Sequence, residues 1–393
     1  MKFPLRIAVL GCGIAGSCAA ILLKKQGHDV RLFERAPVLQ PIGAGVMLQP
    51  LGQCVLDCMG LLPQVIARSE PIHELHAIYR SGRTMIKMPF AAAGVGMHAY
   101  GVHRGDIFEV FVQAVQQNGI PITLNACVEE TVVGTTGVDL ICSDGQRFDG
   151  FDHVVIANGS KCRFRSKQGF RNRQKEYDYA AIWCNVQTAQ VRQQLLQVVE
   201  GSTRLMGILP LGHNRASLFW GLACRDHERC MQQPIEQWKE ELMRFYPAAS
   251  EAIDSIQDWS CATYGTYRCA NVTPTFDDRH VFLGDASHAT SPHLGQGLNF
   301  ALLDAYRFAT ALDDSDSWTQ AGMRFVRQQR DHSRYYRFVT ALLAPFFQSD
   351  SLWRGPFRNG TLPWLHRIPI IRGQMALTMT GLKSGFLGGP MRW

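Results

Sequence analysis

No uncharged apolar run in this 393-residue sequence approaches the roughly 18 residues a membrane span needs. Its twelve cysteines include no pair spaced C-x-x-C. That excludes the common zinc and dithiol redox patterns and predicts free thiols in a reduced, cytosolic protein. Cys54 and Cys58 are expected to share one helix face as buried thiols. No metal-ligand cluster, Ser/His/Asp grouping, internal repeat or low-complexity linker stands out, so no metal is expected. Acids are scarce at one end. From Ala321 to Trp393 eleven basic residues face only Asp331 and Asp350, whereas the whole chain carries +7. The cations come with apolar bulk and without a recognised binding motif, which argues against nucleic acid as a partner.

Hydrophobic residues make up 46% and charged residues 19%, enough core material for two joined domains. The basic start followed by an apolar run could suggest a secretory signal. It flows straight into a glycine cluster, however, and so reads as a first strand. Arg6–Leu10 forms that strand, followed by Gly11, Cys12, Gly13, Ile14, Ala15 and Gly16. A helix then runs to about Gln26, Gly27 stops it, and a second strand, Val30–Phe33, ends in Glu34. Gly11 permits the tight turn, Gly13 admits a pyrophosphate and Gly16 lets helix and strand pack closely. Phosphates would meet the free N–H groups at the helix start, and Glu34 stands where a carboxylate bonds ribose hydroxyls. This pattern marks a dinucleotide site without choosing between NAD and FAD.

Asp106 is expected to cap a helix closed by Gly119, and Val154–Ala157 to be a buried strand ending in the turn Asn158-Gly159. Strand-like runs at Tyr179–Val186, Arg204–Pro210 and Ala216–Cys224 surround one helix near Ile235–Phe245. A buried parallel strand then returns at Val281–Leu283. The predicted class is α/β: a Rossmann-type nucleotide domain, interrupted by an inserted β-sheet substrate domain and followed by a C-terminal helical region. The expected boundaries are 1–75, 98–175 and 270–335 for the first, 76–97 and 176–269 for the second, and 336–393 for the last.

After the returning strand come Gly284-Asp285 and then Pro292, His293, Leu294, Gly295, Gln296, Gly297, Leu298 and Asn299, leading into an apolar helix. A carboxylate at a strand's end can hold a sugar-alcohol chain. A Gly-Gln-Gly turn presents N–H groups at a helix start, a site for the negative charge of a reduced flavin.

The motifs Gly11–Gly16 with Glu34-Arg35, Gly43-Ala44-Gly45-Val46, His103-Arg104, Asn158-Gly159 with Arg165, and Gly284-Asp285 with Pro292 and Gly295-Gln296-Gly297 occur in one particular order. In that order the sequence resembles the group A flavoprotein monooxygenases, relatives of para-hydroxybenzoate, salicylate and alkylquinolone hydroxylases. The likeness covers roughly residues 5–340. It implies FAD as cofactor, NAD(P)H as reductant, and oxygen delivered from a flavin C4a-hydroperoxide to a small apolar or aromatic substrate. It also implies that Glu34 and Arg35 contact the adenosine, that Gly45, Val46 and Arg104 lie along FAD, and that Asp285 holds the ribityl chain. Gly297, Leu298 and Asn299 would supply amides to the flavin pyrimidine, with Pro292 near the reacting edge. The family usually has Asp-Gly where this chain has Asn158-Gly159, a change that bears on nicotinamide handling more than on FAD.

Candidates for removing a phenolic proton are His293, His213 and Tyr264. Two other readings stay open: a same-fold flavin reductase that does not use O2, and a non-catalytic, membrane-associated flavin-binding protein. The halogenase motif W-x-W-x-I-P is absent. For the basic tail, one expectation is helices whose Leu342, Leu343, Phe346 and Phe347 pack on the body. The other is peripheral membrane contact through residues 350–393, where Trp353, Phe357, Trp364, Leu365, Ile368, Ile370 and Ile371 alternate with arginines.

Overall fold

The first strand, Arg6–Leu10, is buried at every position after Arg6, as a strand must be when it is paired on both edges and covered on both faces. The computed structural model describes residues 4–41, 43–166, 169–351, 353–365 and 367–391. Arg6–Leu10 sits at the centre of a five-stranded parallel sheet in the order His280–Phe282, His153–Ile156, Arg6–Leu10, Asp29–Phe33, Ile122–Thr123. Helices Ile14–Lys25, Arg104–Gln117 and Gly297–Asp313 cover one face, packing Leu23, Phe111 and Phe308 with Ile7, Val9 and Val155. The other face carries a three-stranded antiparallel sheet, Val128–Val133, Val138–Cys142 and Arg147–Phe151, whose Leu140 and Phe151 pack with Leu10, Ile156 and Phe282.

The helix expected to be capped by Asp106 starts three residues earlier. His103 caps it, its Nδ1 accepting the Gly105 N–H at 3.2 Å. Asp106 lies inside the first turn and accepts a bond from the Arg215 guanidinium at 2.7 Å, pinning this helix to the second sheet. A short carboxylate ahead of an apolar run suits either position, and only the tertiary partner decides.

The second sheet has seven strands, in the order Ala262–Thr273, Arg171–Gln187, Arg215–Ala223, Arg204–Gly212, Gln194–Glu200, Glu74–Tyr79, Thr84–Pro89. The last two come from a distant part of the chain, and Gln194–Glu200 runs parallel to Glu74–Tyr79. One face is covered by helix Ile235–Phe245, whose Trp238, Leu242 and Phe245 recur at helical spacing and pack on Leu218 and Trp220. The opposite face carries Leu205, Leu209 and Phe219 into an apolar cluster shared with Met47, Leu294, Phe300 and the C-terminal helices.

Those helices are Trp318–Phe347, Arg354–Leu365 and Pro369–Met379. Leu343 and Phe347 pack on the apolar cluster, but Leu342 is exposed and Phe346 stacks on Phe357 with centroids 5.9 Å apart. Adjacent helical residues point about 100° apart, so four consecutive or near-consecutive positions cannot all face one body. All twelve cysteines are free. Helix Pro50–Met59 turns Val55, Leu56 and Met59 inward, which leaves Cys54 half-buried and Cys58 exposed rather than buried as expected.

Burial holds three histidines well below the ordinary imidazole value of about 6.5: His153 and His293 at about 4 and His332 at about 3. The unfolded chain therefore binds protons that the folded chain refuses. Their contribution is fully present above about pH 6.5 and is lost as pH falls toward 4. Thermal unfolding at pH 7 and pH 5 is expected to show a smaller drop for His332→Gln than for the parent. Equal drops would contradict this account.

Candidate active site

The glycine turn is built from three different steric demands. Gly11 sits at φ +102°, and a Cβ there would lie 2.6 Å from the Ala157 carbonyl oxygen. A Cβ on Gly16 would lie 1.9 Å from the Gly11 carbonyl oxygen, so helix and strand touch backbone to backbone. A Cβ on Gly13 would meet nothing within 4 Å, which leaves open space in front of the helix start. Helix Ile14–Lys25 has neither a side-chain cap nor an acid in its first turn. The N–H groups of Ile14, Ala15 and Gly16 therefore have no intrahelical acceptor and face that space. Glu34 closes the turn: Oε2 accepts the Cys12 N–H at 2.9 Å and Oε1 the Ala36 N–H at 3.0 Å. Arg35 beside it is exposed.

A buried carboxylate that sequence reasoning missed positions the second loop. Asp304 accepts the Gly284 N–H at 2.8 Å and the His288 Nε2–H at 2.7 Å, and also bonds the Gln329 side-chain amide. Burial alone would lower His288, but the Asp304 carboxylate more than offsets that and holds its imidazole above the ordinary value. Gly284 adopts φ +58° with ψ −141°, a backbone shape suited to glycine, and a Cβ there would come within 3.0 Å of the Ala15 side chain. The two glycine loops thus abut. Arg165, fully buried, donates to the Ala286 carbonyl at 2.8 Å, to the Ser160 carbonyl at 2.9 Å and to the Asp285 carbonyl, locking the Asn158-Gly159 turn to the same loop.

Asp285 itself is exposed to solvent, although protein surrounds it closely. Burial pushes its carboxyl up, while His288, Arg104 and Arg165 pull it back. Arg104 is exposed, and its aliphatic stem lies against Gly43, where a Cβ would come within 2.7 Å of Cδ. Gly45 and Val46 begin the strand paired antiparallel with Val102 and His103. A Cβ on Gly45 would strike Ser217 at 2.6 Å, so the two sheets meet here. Asn158 Oδ1 is buried without a partner among the described residues.

The third loop turns through Pro292–Leu294 and stops at Gly295, φ +62°. Helix Gly297–Asp313 then begins with no side-chain cap and no acid in its first turn, and a Cβ on Gly297 would meet nothing within 4 Å. The amides of Gly297 and Leu298 are open. Gln296 is buried and bonds the Thr378 and Met379 carbonyls, each at 3.3 Å. The Asn299 side chain is spent internally, donating to the Met47 and Gly295 carbonyls and accepting the Gln49 N–H at 2.9 Å. Only its backbone N–H is left to offer a ligand.

Of the three proton-acceptor candidates, the structure brings one to this loop. His293 Nδ1 lies 3.0 Å from Ser291 Oγ, and Tyr267 approaches its ring edge-on at 5.6 Å. Its buried Nε2 has no partner at hydrogen-bond distance, although Gln348 stands beside it. His213 occupies the exposed two-residue turn of the hairpin Arg204–Gly212/Arg215–Ala223, at φ 54°. Tyr264 points through the sheet to the opposite face, where its ring stacks on His227 at 3.4 Å. Three residues along a strand reverse the face, so Tyr267 reaches the loop and Tyr264 does not. Sequence reasoning also missed Gln348. A cavity of about 400 Å³ lined by Tyr179, Trp220, Arg225 and Arg229 lies at the outer end of the sheet. Its Arg225 and Arg229 are paired with Asp350 and Asp226.

These features fit FAD: two open helix starts, Glu34 after the glycine turn and the exposed Asp285 on the adjoining loop. The fold and the order of its motifs define an FAD-dependent monooxygenase of the aromatic-hydroxylase class. The chain belongs to the family described as FAD binding domain, which matches residues 5–315. The aurachin C monooxygenase/isomerase of Stigmatella aurantiaca is 27% identical over 320 residues, covering 79% of this chain and 82% of that protein. The salicylate hydroxylase of Pseudomonas putida is 26% identical over 351 residues, covering 81% and 79%. In fold, the chain is similar to Klebsiella pneumoniae HpxO complexed with FAD and uric acid, with a TM-score of 0.83 at 20% identity and 98% of each chain covered.

Gly13→Ala and Gly16→Ala are expected to separate. The first fills open space and should weaken FAD binding by about tenfold or more while leaving the unfolding temperature nearly unchanged. The second collides with backbone and should lower both. FAD titration and thermal melts check this; unaltered FAD affinity in Gly13→Ala would refute the placement.

Proposed function

We propose that the protein hydroxylates a small, largely apolar aromatic substrate held between the Pro292–Gly297 loop and the apolar face of the seven-stranded sheet. FAD would be held by segments 1–75, 98–175 and 270–335, and the substrate by 76–97 and 176–269. The observation that carries this reading is the unpartnered Nε2 of His293 beside a cluster that includes Leu294, Leu209 and Phe219. Bound FAD supplies electron storage between the nicotinamide and O2. The balance is substrate plus O2, NAD(P)H and a proton giving hydroxylated product, NAD(P)+ and water.

The chain's own residues bind, orient and exclude water. The N–H groups of Ile14, Ala15 and Gly16 take the pyrophosphate, Glu34 and Arg35 the adenosine, and Asp285 the ribityl chain. Gly45, Val46, Arg104, Asn158 and Gly159 line the path between. Gly297, Leu298 and the backbone of Asn299 would offer donors to the flavin, and Pro292 would lie beside it. His293 is neutral at physiological pH because burial lowers it to about 4. Its Nε2 can receive a proton from a substrate hydroxyl, leaving an imidazolium whose Nδ1 stays bonded to Ser291, whose hydroxyl meets Tyr177. Tyr264, raised by burial to about 12, stays protonated and cannot take the substrate's proton, and it faces away.

The test is oxidation of NADH and NADPH by FAD-loaded protein in air and under nitrogen, with a panel of aromatic compounds. Substrate-dependent O2 uptake with hydroxylated product is expected. Turnover of a substrate without O2 would replace this reading with a reductase. His293→Asn should cut hydroxylation of phenolic substrates by about 10²-fold or more while flavin reduction continues. Full retained hydroxylation would remove His293 from the chemistry.

A further inference from the structure

Helix Arg354–Leu365 is fixed to the body mainly by one side, with Trp353 and Phe357 also touching Phe346 of the long helix. Gly355 packs so closely that a Cβ would lie 3.1 Å from Gly201, Arg358 donates to the Gly201 and Phe346 carbonyls at 2.8 and 3.0 Å, and Leu362 joins the apolar cluster. At about 100° per residue, Trp353, Phe357 and Trp364 fall within an arc of about 40° on the opposite side. The Phe357 N–H bonds the Trp353 carbonyl, so Trp353 continues the helical path. Their exposures of 59%, 53% and 67% agree with that placement. Ile368 and Ile370, at 46% and 79%, extend the apolar surface into the next helix. A water-facing helix stripe is ordinarily polar. This one is aromatic.

Its charge is of one sign. Residues 351–393 contain no aspartate or glutamate. Arg354 lies over the Trp353 ring at 5.6 Å and Arg367 over Trp364 at 5.2 Å, while Arg372 is exposed nearby in sequence. Leu352, His366, Arg392 and Trp393 lie outside the described residues. Among the described residues no helix is long and apolar enough to cross a membrane.

We propose that this face docks the protein on the surface of an anionic lipid bilayer. Tryptophan rings with an apolar body and a polar tip, flanked by arginines, suit the headgroup boundary, where acidic lipids supply the missing counter-charge. A second copy of the chain is a poorer occupant, since a two-fold contact would bring two cationic faces together. The docked face is joined to the site. Helix Pro369–Met379 carries Leu377 and Met379 into the same apolar cluster as Leu294, and its Thr378 and Met379 carbonyls hold Gln296. A lipophilic aromatic dissolved in the bilayer would then meet the protein on the side of the helices that back the flavin loop. That corollary rests on the hydroxylase reading; the docking does not.

The test is flotation of the full FAD-loaded chain with phosphatidylcholine vesicles, with and without phosphatidylglycerol, and it has no activity readout. Binding only to the anionic vesicles, reversed by high salt, is expected. Replacing Arg354, Arg367 and Arg372 by Gln together should weaken binding about a hundredfold, at roughly fivefold per charge near the surface. The Trp353→Ser, Phe357→Ser, Trp364→Ser combination should abolish binding, and the single, fully surface Trp364→Ser should reduce it several-fold. Retained yellow colour checks that each variant is folded. No binding to anionic vesicles, equal binding to neutral ones, or indifference to these variants would overturn the proposal. So would a dimer in sedimentation that the aromatic variants dissociate.

Discussion

The buried carboxylate of Asp304 is the constraint on which the site depends. It stands on the helix that begins at Gly297, yet its bonds reach back to Gly284 and His288 and forward to Gln329 on the long C-terminal helix. An ionised group removed from water needs each of those partners, because an unpaired one would be expensive. The satisfied cluster therefore fixes the loop that carries Asp285. Through Gly284, which touches Ala15, it also fixes the distance between that loop and the glycine turn. Arg165 repeats the device from the other side with four carbonyl oxygens, those of Gly159, Ser160, Asp285 and Ala286. The cleft is rigid because its walls are tied by buried polar groups, while its interior offers free N–H groups to an anion.

The seven-stranded sheet supplies the other half. Strand alternation sends Leu218, Trp220 and Tyr264 toward one helical layer and Leu205, Phe219 and Tyr267 toward the flavin loop. The C-terminal helices complete the second face, so an apolar enclosure forms only where three parts of the chain converge. Gln296 links this enclosure to helix Pro369–Met379, which places the tail next to the chemistry despite about eighty residues of separation. Among the described residues no group of three His, Cys, Asp or Glu could hold a metal ion.

Much was legible in the sequence because it is local. The glycine turn and the strand that precedes it are set by steric needs within a few residues, which Gly11 and Gly16 meet in the structure, and Glu34 follows within twenty residues to accept the Cys12 N–H of the turn. Helix Ile235–Phe245 was readable from periodicity alone. The order of five separated motifs pointed to the flavin family. Spacing does not reveal which face a strand side chain takes once register and neighbours are set. Hence Tyr264 and His213 looked as good as His293, although one points to the far layer and the other sits on an exposed turn.

By itself, then, the sequence determined the nucleotide turn, the class of fold and the one-signed charge of the tail, because each follows from residues close together in the chain. Tertiary structure alone decided that Asp304 anchors the Asp285 loop and that Tyr267 and Gln348 surround His293. It also decided that the aromatics at Trp353, Phe357 and Trp364 face outward. Those outcomes depend on pairings between residues from tens to hundreds of positions apart. Such pairings are chosen by which buried groups can satisfy one another, and no local pattern encodes that choice.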